Sequence, residues 1–132
     1  QLKKLNFISK IRYKNYLIYK KILSNFWYQK SDSKLISSFG YSTLVKNREE
    51  VYKLLIKNNI ECRPIICGNI AKQPFMKKKY LNFNDNFKNA NFVDKYGIYL
   101  PNHANLSIKD INFVTKIFLK VAKPIFFKKK YV

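Results

Sequence analysis

The chain has 132 residues, 47% apolar and 17% aromatic, with 27 basic against 7 acidic side chains and a formal charge of +20. That is enough material for one domain with a modest core and excludes a disordered tail. No stretch approaches the roughly 18 uncharged residues of a membrane span, and the N-terminus has no uninterrupted apolar signal core, so the default compartment is the cytoplasm.

From residue 2 to 28, Phe7, Ile11, Ile18 and Ile22 recur at spacings that keep them on one side of a helix, with Lys3, Lys4, Lys10, Lys14 and Lys20 elsewhere. The spacing predicts a long amphipathic helix. Its first residues carry no capping signal, which predicts that the chain begins within a structural element. After the polar run 29–34, Phe39, Tyr41, Thr43 and Val45 alternate with Gly40, Ser42 and Leu44, the period of a strand. Asn47 with Glu50 three residues on predicts a capping box, and Val51, Leu54 and Leu55 the apolar stripe of the helix it opens. Asn58 and Asn59 close that helix, Asn being tolerant of the left-handed turn.

Ile60, Cys62, Pro64 and Ile66 then share one face of a second strand, with Glu61, Arg63 and Ile65 on the other. Pro64 cannot donate to a ladder, so the strand is an edge or ends there, and it biases Arg63 to an extended backbone. Gly68 permits a change of direction. Asn69 opens a short helical or irregular passage to the basic run 77–79, followed by an Asn-rich polar loop over 80–89. A short helix is expected over 89–96 and a brief strand over 97–100 that Pro101 stops. A second capping box at Ser107 and Asp110 leads into a helix with Ile111, Val114, Phe118 and Val121 on one side. The expected fold class is α/β: a long N-terminal helix, then a sheet of about three strands packed by helices. The expected organisation is one domain over 1–125 and a frayed basic tail over 126–132.

Lysines outnumber arginines 24 to 3 and are scattered over every expected element. Nucleic-acid readers favour Arg and cluster it on one face, so the charge reads as solvated lysine rather than a groove-binding patch. A stand-alone basic module for nucleic acid or another polyanion stays as the alternative, recognisable by a single-sign surface and steep salt dependence. Cys62 and Cys67, with His103 as the single histidine, cannot make a four-ligand zinc set and read as two reduced, partly buried thiols.

Short motifs in order carry a family resemblance. Gln1 to Asn6 (QLKKLN) opens the helix, Arg12 and Asn15 follow as R-x-x-N, and Ser38-Phe39-Gly40-Tyr41 forms a strand entry. Arg48 with Leu54-Leu55 comes next, then Ile60-Glu61-Cys62-Arg63-Pro64, Gly68-Asn69 and Gln73-Pro74. Asn89-Ala90 and Pro101-Asn102-His103 with Leu106-Ser107 complete the series. Together they resemble the C-terminal domain of the nucleotide-sugar aminotransferases and 3-dehydratases that use pyridoxal phosphate, the DegT/DnrJ/StrS type, whose fold is that of the fold-type-I aminotransferases. The resemblance implies a small domain closing over a nucleotide-linked 4-keto-6-deoxy hexose, two subunits building each active site, and a place in lipopolysaccharide sugar biosynthesis. It also implies that the Schiff-base lysine, or the histidine of the dehydratase branch, lies upstream of this chain, so that no catalytic residue falls here and the piece alone is inactive.

Five residues are candidates for the substrate side. Arg63 has a planar fork suited to an anionic substrate or the cofactor region; its bland reading is an ion pair with a carboxylate near Glu61 or with Asp94. Asn69 and Gln73 suit sugar hydroxyls or stitching of their own loop. His103 stands at a strand exit, as contact or as turn residue. Ser38 lines the same cleft beside Phe39, whose alternation also fits core. Such a domain is expected to expose the apolar side of its first helix and to self-associate in isolation.

Overall fold

The computed structural model describes residues 2–33, 35–66, 68–79 (the backbone alone for 77–79) and 87–126. Gln1 of the first motif, Cys67, the polar loop over 80–86 and the tail beyond Phe126 lie outside the described residues. A 3₁₀ turn over Leu2–Lys4 leads into α1 (Leu5–Ile22), followed by β1 (Trp27–Tyr28), β2 (Gly40–Leu44), α2 (Arg48–Lys57) and β3 (Arg63–Pro64). A second 3₁₀ turn over Ile70–Lys72 precedes α3 (Pro74–Lys79), α4 (Lys88–Tyr96), β4 (Gly97–Pro101) and α5 (Ile108–Leu119).

Among the described residues the sheet has four strands in the order β1-β2-β4-β3, every neighbouring pair antiparallel. It exceeds the expected three because Trp27 and Tyr28 pair with Leu44 and Thr43, and the Thr43 hydroxyl donates to the Trp27 carbonyl at 2.7 Å. The strand expected over 60–66 shrinks to Arg63–Pro64 at the sheet edge, the place where the missing N–H of proline costs nothing. Alternation holds from Ile60 to Arg63, with Ile60 and Cys62 buried and Glu61 and Arg63 exposed. It fails beyond, where Pro64 and Ile66 are both exposed.

One cluster forms the core. Tyr41, Ile98 and Leu100 from the sheet meet Tyr16, Tyr19 and Leu23 from the first helix and its exit, Val51 and Leu55 from α2, and Ile111, Val114, Ile117 and Phe118 from α5. Tyr19 stacks on Tyr41 with ring centres 4.9 Å apart, and Phe26 meets Phe118 edge-on at 5.1 Å. The stripe expected on α1 holds in its second half, where Ile18 and Ile22 are partly buried against the core, but the fully buried residues are Asn15, Tyr16 and Tyr19, and Phe7 is 66% exposed. The tyrosines bury because their hydroxyls donate to carbonyls, Tyr16 to Gln29 at 3.1 Å and Tyr19 to Pro101 at 2.9 Å. Leu2, Leu5 and Phe7 are left on the surface, and no residue is buried from Leu2 to Lys14.

Asn47 precedes α2, but its side chain accepts no helix N–H as a capping box requires. Its amide donates to Glu50 Oε2 at 2.6 Å and to the Val121 carbonyl at 2.8 Å, and its Oδ1 accepts the Lys123 N–H at 2.9 Å. It ties the end of α5 to the start of α2 instead. Asn59 closes α2 in the left-handed region at φ 57°.

The second capping box forms as expected. Ser107 Oγ accepts the Asp110 N–H, and Asp110 Oδ2 accepts both the Ser107 hydroxyl at 2.7 Å and its N–H at 2.8 Å. Those bonds, the hydroxyl's first, hold the Asp110 carboxyl below the ordinary carboxylate range. A carboxyl lowered by folding adds stability above its unfolded pKa of about 4 and loses it as pH falls through the folded value. We expect the melting temperature to fall with acidification below about pH 4, and Asp110→Asn to flatten that part of the curve. Thermal melts from pH 7 to 2 check it.

Candidate functional site

The sheet register builds the site. Tyr99 in β4 stands opposite Ser42 of β2 on one side and Arg63 of β3 on the other. These residues alternate with the Tyr41, Thr43, Ile98 and Leu100 set that faces the core, so they lie on the other face of the sheet. Gly40 leaves room for the Tyr99 ring, since a Cβ there would sit 3.2 Å from it. Phe39, 54% exposed, tilts over that ring at 5.2 Å between centres and is not core.

Around this row lies a concavity of about 220 Å³ whose lining includes Phe39, Glu61, Arg63, Tyr99, Asn102 and His103. Arg63 Nε and Nη2 both donate to Glu61 Oε1, at 3.1 and 2.6 Å, with the two side chains 65% and 73% exposed. The carboxylate partner of Arg63 is therefore Glu61 itself and not Asp94, which pairs with Lys72 at 3.6 Å. Among the described residues, Glu61 Oε2 and Arg63 Nη1 make no hydrogen bond, so an acceptor and a donor stand free at the mouth. Beneath them the Cys62 thiol is pushed up to about 11, first by burial and then by the Glu61 charge, which keeps it protonated and inert.

The other sequence candidates lie elsewhere. Asn69 is 2% exposed with its amide committed: Oδ1 accepts the Ala71 N–H at 3.0 Å and Nδ2 donates to Asn91 Oδ1 at 2.8 Å. It is outside the lining of the concavity that holds Arg63. Gly68 before it takes a left-handed φ of 38°, and a Cβ there would meet Asp94 Oδ1 at 2.0 Å, so glycine is required twice over. Gln73 is half-buried between the second 3₁₀ turn and α3. Ser38 faces a separate cavity of about 260 Å³ whose lining includes Tyr16, Gln29, Ser31 and Ser33, while its carbonyl accepts Asn102 Nδ2 at 3.0 Å. Arg63 and His103 alone of the five share one concavity.

Sequence reasoning passed over Glu61, Tyr99 and Asn102. For Tyr99 a signal existed, because it is the central, outward residue of Gly97–Pro101. Glu61 also had one, two residues from Arg63 on the same side of the strand, whereas Asn102 needed its tertiary bonds to Arg12 and Ser38 to be seen.

Among the described residues no group of His, Cys, Asp or Glu side chains could hold a metal ion, and no helix is long and apolar enough to cross a membrane. Lysines are carried by α1, α2, α4 and α5 alike, so they gather on no single element.

Residues 1–119 match the DegT/DnrJ/EryC1/StrS aminotransferase family. A GDP-4-keto-6-deoxy-D-mannose 3-dehydratase of Yersinia pseudotuberculosis is 35% identical over 115 residues, which cover 78% of this chain and 28% of the relative. The Escherichia coli GDP-4-keto-6-deoxy-D-mannose-3-dehydratase, solved with bound hydrated PLP, superposes with a TM-score of 0.78 at 28% identity over 89% of this chain and 32% of that one. Helicobacter pylori PseC, an aminotransferase of pseudoaminic acid biosynthesis, shares the fold at a TM-score of 0.77 and 23% identity, covering 91% of this chain and 34% of that one. The chain thus spans about a third of the length of the proteins it matches.

Proposed function

The chain belongs to the DegT/DnrJ/EryC1/StrS aminotransferase family, and from that premise we propose that it is the substrate-side, C-terminal part of a pyridoxal-phosphate enzyme acting on nucleotide-linked 4-keto-6-deoxy hexoses. The observation that carries the reading is the meeting of Arg63, Glu61 and His103 with two aromatic rings around one concavity on the face of the sheet turned away from the core.

Such a substrate presents two phosphates, a planar base and a ring of hydroxyls. Arg63 supplies a fixed charge with N–H groups to spare for phosphate oxygens, and Glu61 an acceptor for N–H or O–H donors. Phe39 and Tyr99 supply an apolar wall for a flat or weakly polar ring. His103, exposed at the exit of β4, adds an imidazole that can donate or accept a hydrogen bond at the rim. Asn69 acts one step back, tying the second 3₁₀ turn to α4 through Asn91, Gln73 bridges that turn and α3 through its backbone, and Ser38 reaches the substrate side through its backbone rather than its hydroxyl.

Pyridoxal phosphate, the cofactor of the family, supplies the electron sink for the chemistry at the sugar. The residues present do not fit a holder for it. No lysine lines the concavity, and every lysine whose side chain is described is exposed or partly so, the reverse of a desolvated Schiff-base lysine. The cofactor therefore belongs to the rest of the enzyme, and this chain alone is inactive. With the reading go a homodimeric parent, a cytoplasmic location and a role in lipopolysaccharide sugar biosynthesis.

Titrating the isotope-labelled chain with GDP tests it. Saturable shifts gathered on Arg63, Tyr99, Phe39 and His103 are the expected result. Shifts spread over the helix lysines and abolished by salt would favour polyanion binding and overturn the reading. Reading the coding sequence upstream of Gln1 then separates amino transfer, which needs a lysine at the cofactor position, from dehydration, which uses a histidine there.

A further inference from the structure

Three consecutive residues at the exit of β4 are each bonded to α1. Tyr19 donates its hydroxyl to the Pro101 carbonyl at 2.9 Å, Asn102 donates Nδ2 to the Arg12 carbonyl at 3.3 Å, and Asn15 donates Nδ2 to the His103 carbonyl at 3.2 Å. Asn102 Nδ2 also donates to the Ser38 carbonyl at 3.0 Å, next to Phe39. The two asparagines are 4% and 0% exposed.

Burying two amides between a helix and a strand exit is a poor way to gain stability, since apolar residues of that volume pack as well without desolvation. What directed bonds add is a defined position. Asn102 joins three backbone pieces: the helix at Arg12, the entry to β2 at Ser38 just before the lining residue Phe39, and its own strand exit between the lining residues Pro101 and His103. Phe39 and His103, both in the lining, are each one residue from a bond that Asn102 makes or carries. Asn102 Oδ1 and Arg12 Nε are buried there without partners, so the junction has unused bonding capacity on both residues.

We propose that Asn102 is a positioning residue, assisted by Asn15, which fixes the Phe39 and His103 walls of the concavity to helix α1; as a statement about ligand recognition this rests on the function proposed above. The coupling runs both ways. Before Asn15 no residue of α1 is fully buried and Leu5 and Phe7 are exposed, so a shift of this part of the helix reaches the walls through the bonds of Asn102 and Asn15.

The test compares Asn102→Ala, Asn102→Asp and Asn15→Ala with Val51→Ala, a core truncation in α2 outside the lining. Asn102→Asp is isosteric but cannot donate to either carbonyl. In the ligand-free chain, the Phe39 to Tyr99 ring cross-peak by NMR is expected to weaken, and the His103 amide to shift, in all three asparagine variants and not in Val51→Ala. GDP affinity is expected to fall about tenfold in Asn102→Ala and Asn102→Asp, the scale of one lost directed bond. Asn15→Ala removes a single bond and keeps the test open if both Asn102 variants fail to fold. Unchanged ring contacts in Asn15→Ala and in any folded Asn102 variant overturn the proposal, as does equal damage from Val51→Ala. Absence of GDP binding by the unaltered chain would instead remove the functional reading, while the ligand-free spectra still decide the positioning role.

Discussion

Phe118→Ala is expected to destabilise the chain by about 3–5 kcal/mol, the range for truncating a fully buried aromatic ring. Phe118 is 0% exposed, lies on the buried side of α5 and meets Phe26 edge-on at 5.1 Å, so its loss opens a cavity and also removes a ring contact. Against a total stability of about 5–15 kcal/mol for an ordinary domain, that is at least about a fifth of what holds the fold. At this chain length the melting temperature should fall by roughly 10–20 °C. Phe113 supplies the control. It lies on the same helix, 49% exposed, and its truncation should cost less than about 1 kcal/mol. Thermal melts of both variants check the pair, and equal losses would mean that α5 packs through another face.

The same helix shows where a sequence is legible. Ser107, Asp110 and the spacing of Ile111, Val114 and Phe118 place the start, the phase and the buried side of α5, and all three are found in the structure. Here the caps and the apolar stripe are local and agree. On α1 the stripe is half the answer: Ile18 and Ile22 pack partly buried against the core, but the residues that bury fully are Asn15, Tyr16 and Tyr19. Each carries a polar group whose partner is at least 13 residues away, at Gln29, Pro101 or His103. Hydrophobic periodicity counts such residues as surface, because nothing local says that a carbonyl awaits them.

The site follows the same division. Pro64 alone biases Arg63 to an extended backbone and makes its strand either an edge or one that ends there, and the edge position is observed. That it faces Tyr99 depends on the pairing of β3 with β4, strands separated by more than thirty residues in the sequence. Asn69 shows the converse. Its neighbours Gly68 and Gln73 gave it the look of a pocket residue, and its amide is in fact consumed by Ala71 and Asn91. A polar side chain at a turn advertises hydrogen bonding without saying to whom, and local backbone is the nearest claimant.

Arg63→Ala is expected to lower affinity for GDP by about 10- to 100-fold, equivalent to roughly 1.5–3 kcal/mol for hydrogen bonds to a charged group. The same substitution should leave the melting temperature nearly unchanged. Its ion pair with Glu61 is 65% and 73% exposed, and exposed pairs contribute about 0–1 kcal/mol. That split between binding and stability is the signature of a ligand contact. Arg63→Lys should recover only part of the affinity, because an ammonium is a point charge and cannot span two oxygens as the guanidinium fork does. Glu61→Gln separates the two roles of the pair. If Glu61 merely aims Arg63, the amide oxygen retains one bond to the guanidinium and affinity changes little. If Glu61 accepts from the ligand, affinity drops while Arg63 stays in place. Titration calorimetry at two salt concentrations gives the affinities, and Lys116→Ala on α5 provides the comparison for charge alone. Equal losses from Arg63→Ala and Lys116→Ala would assign the binding to net charge and take Arg63 out of the site.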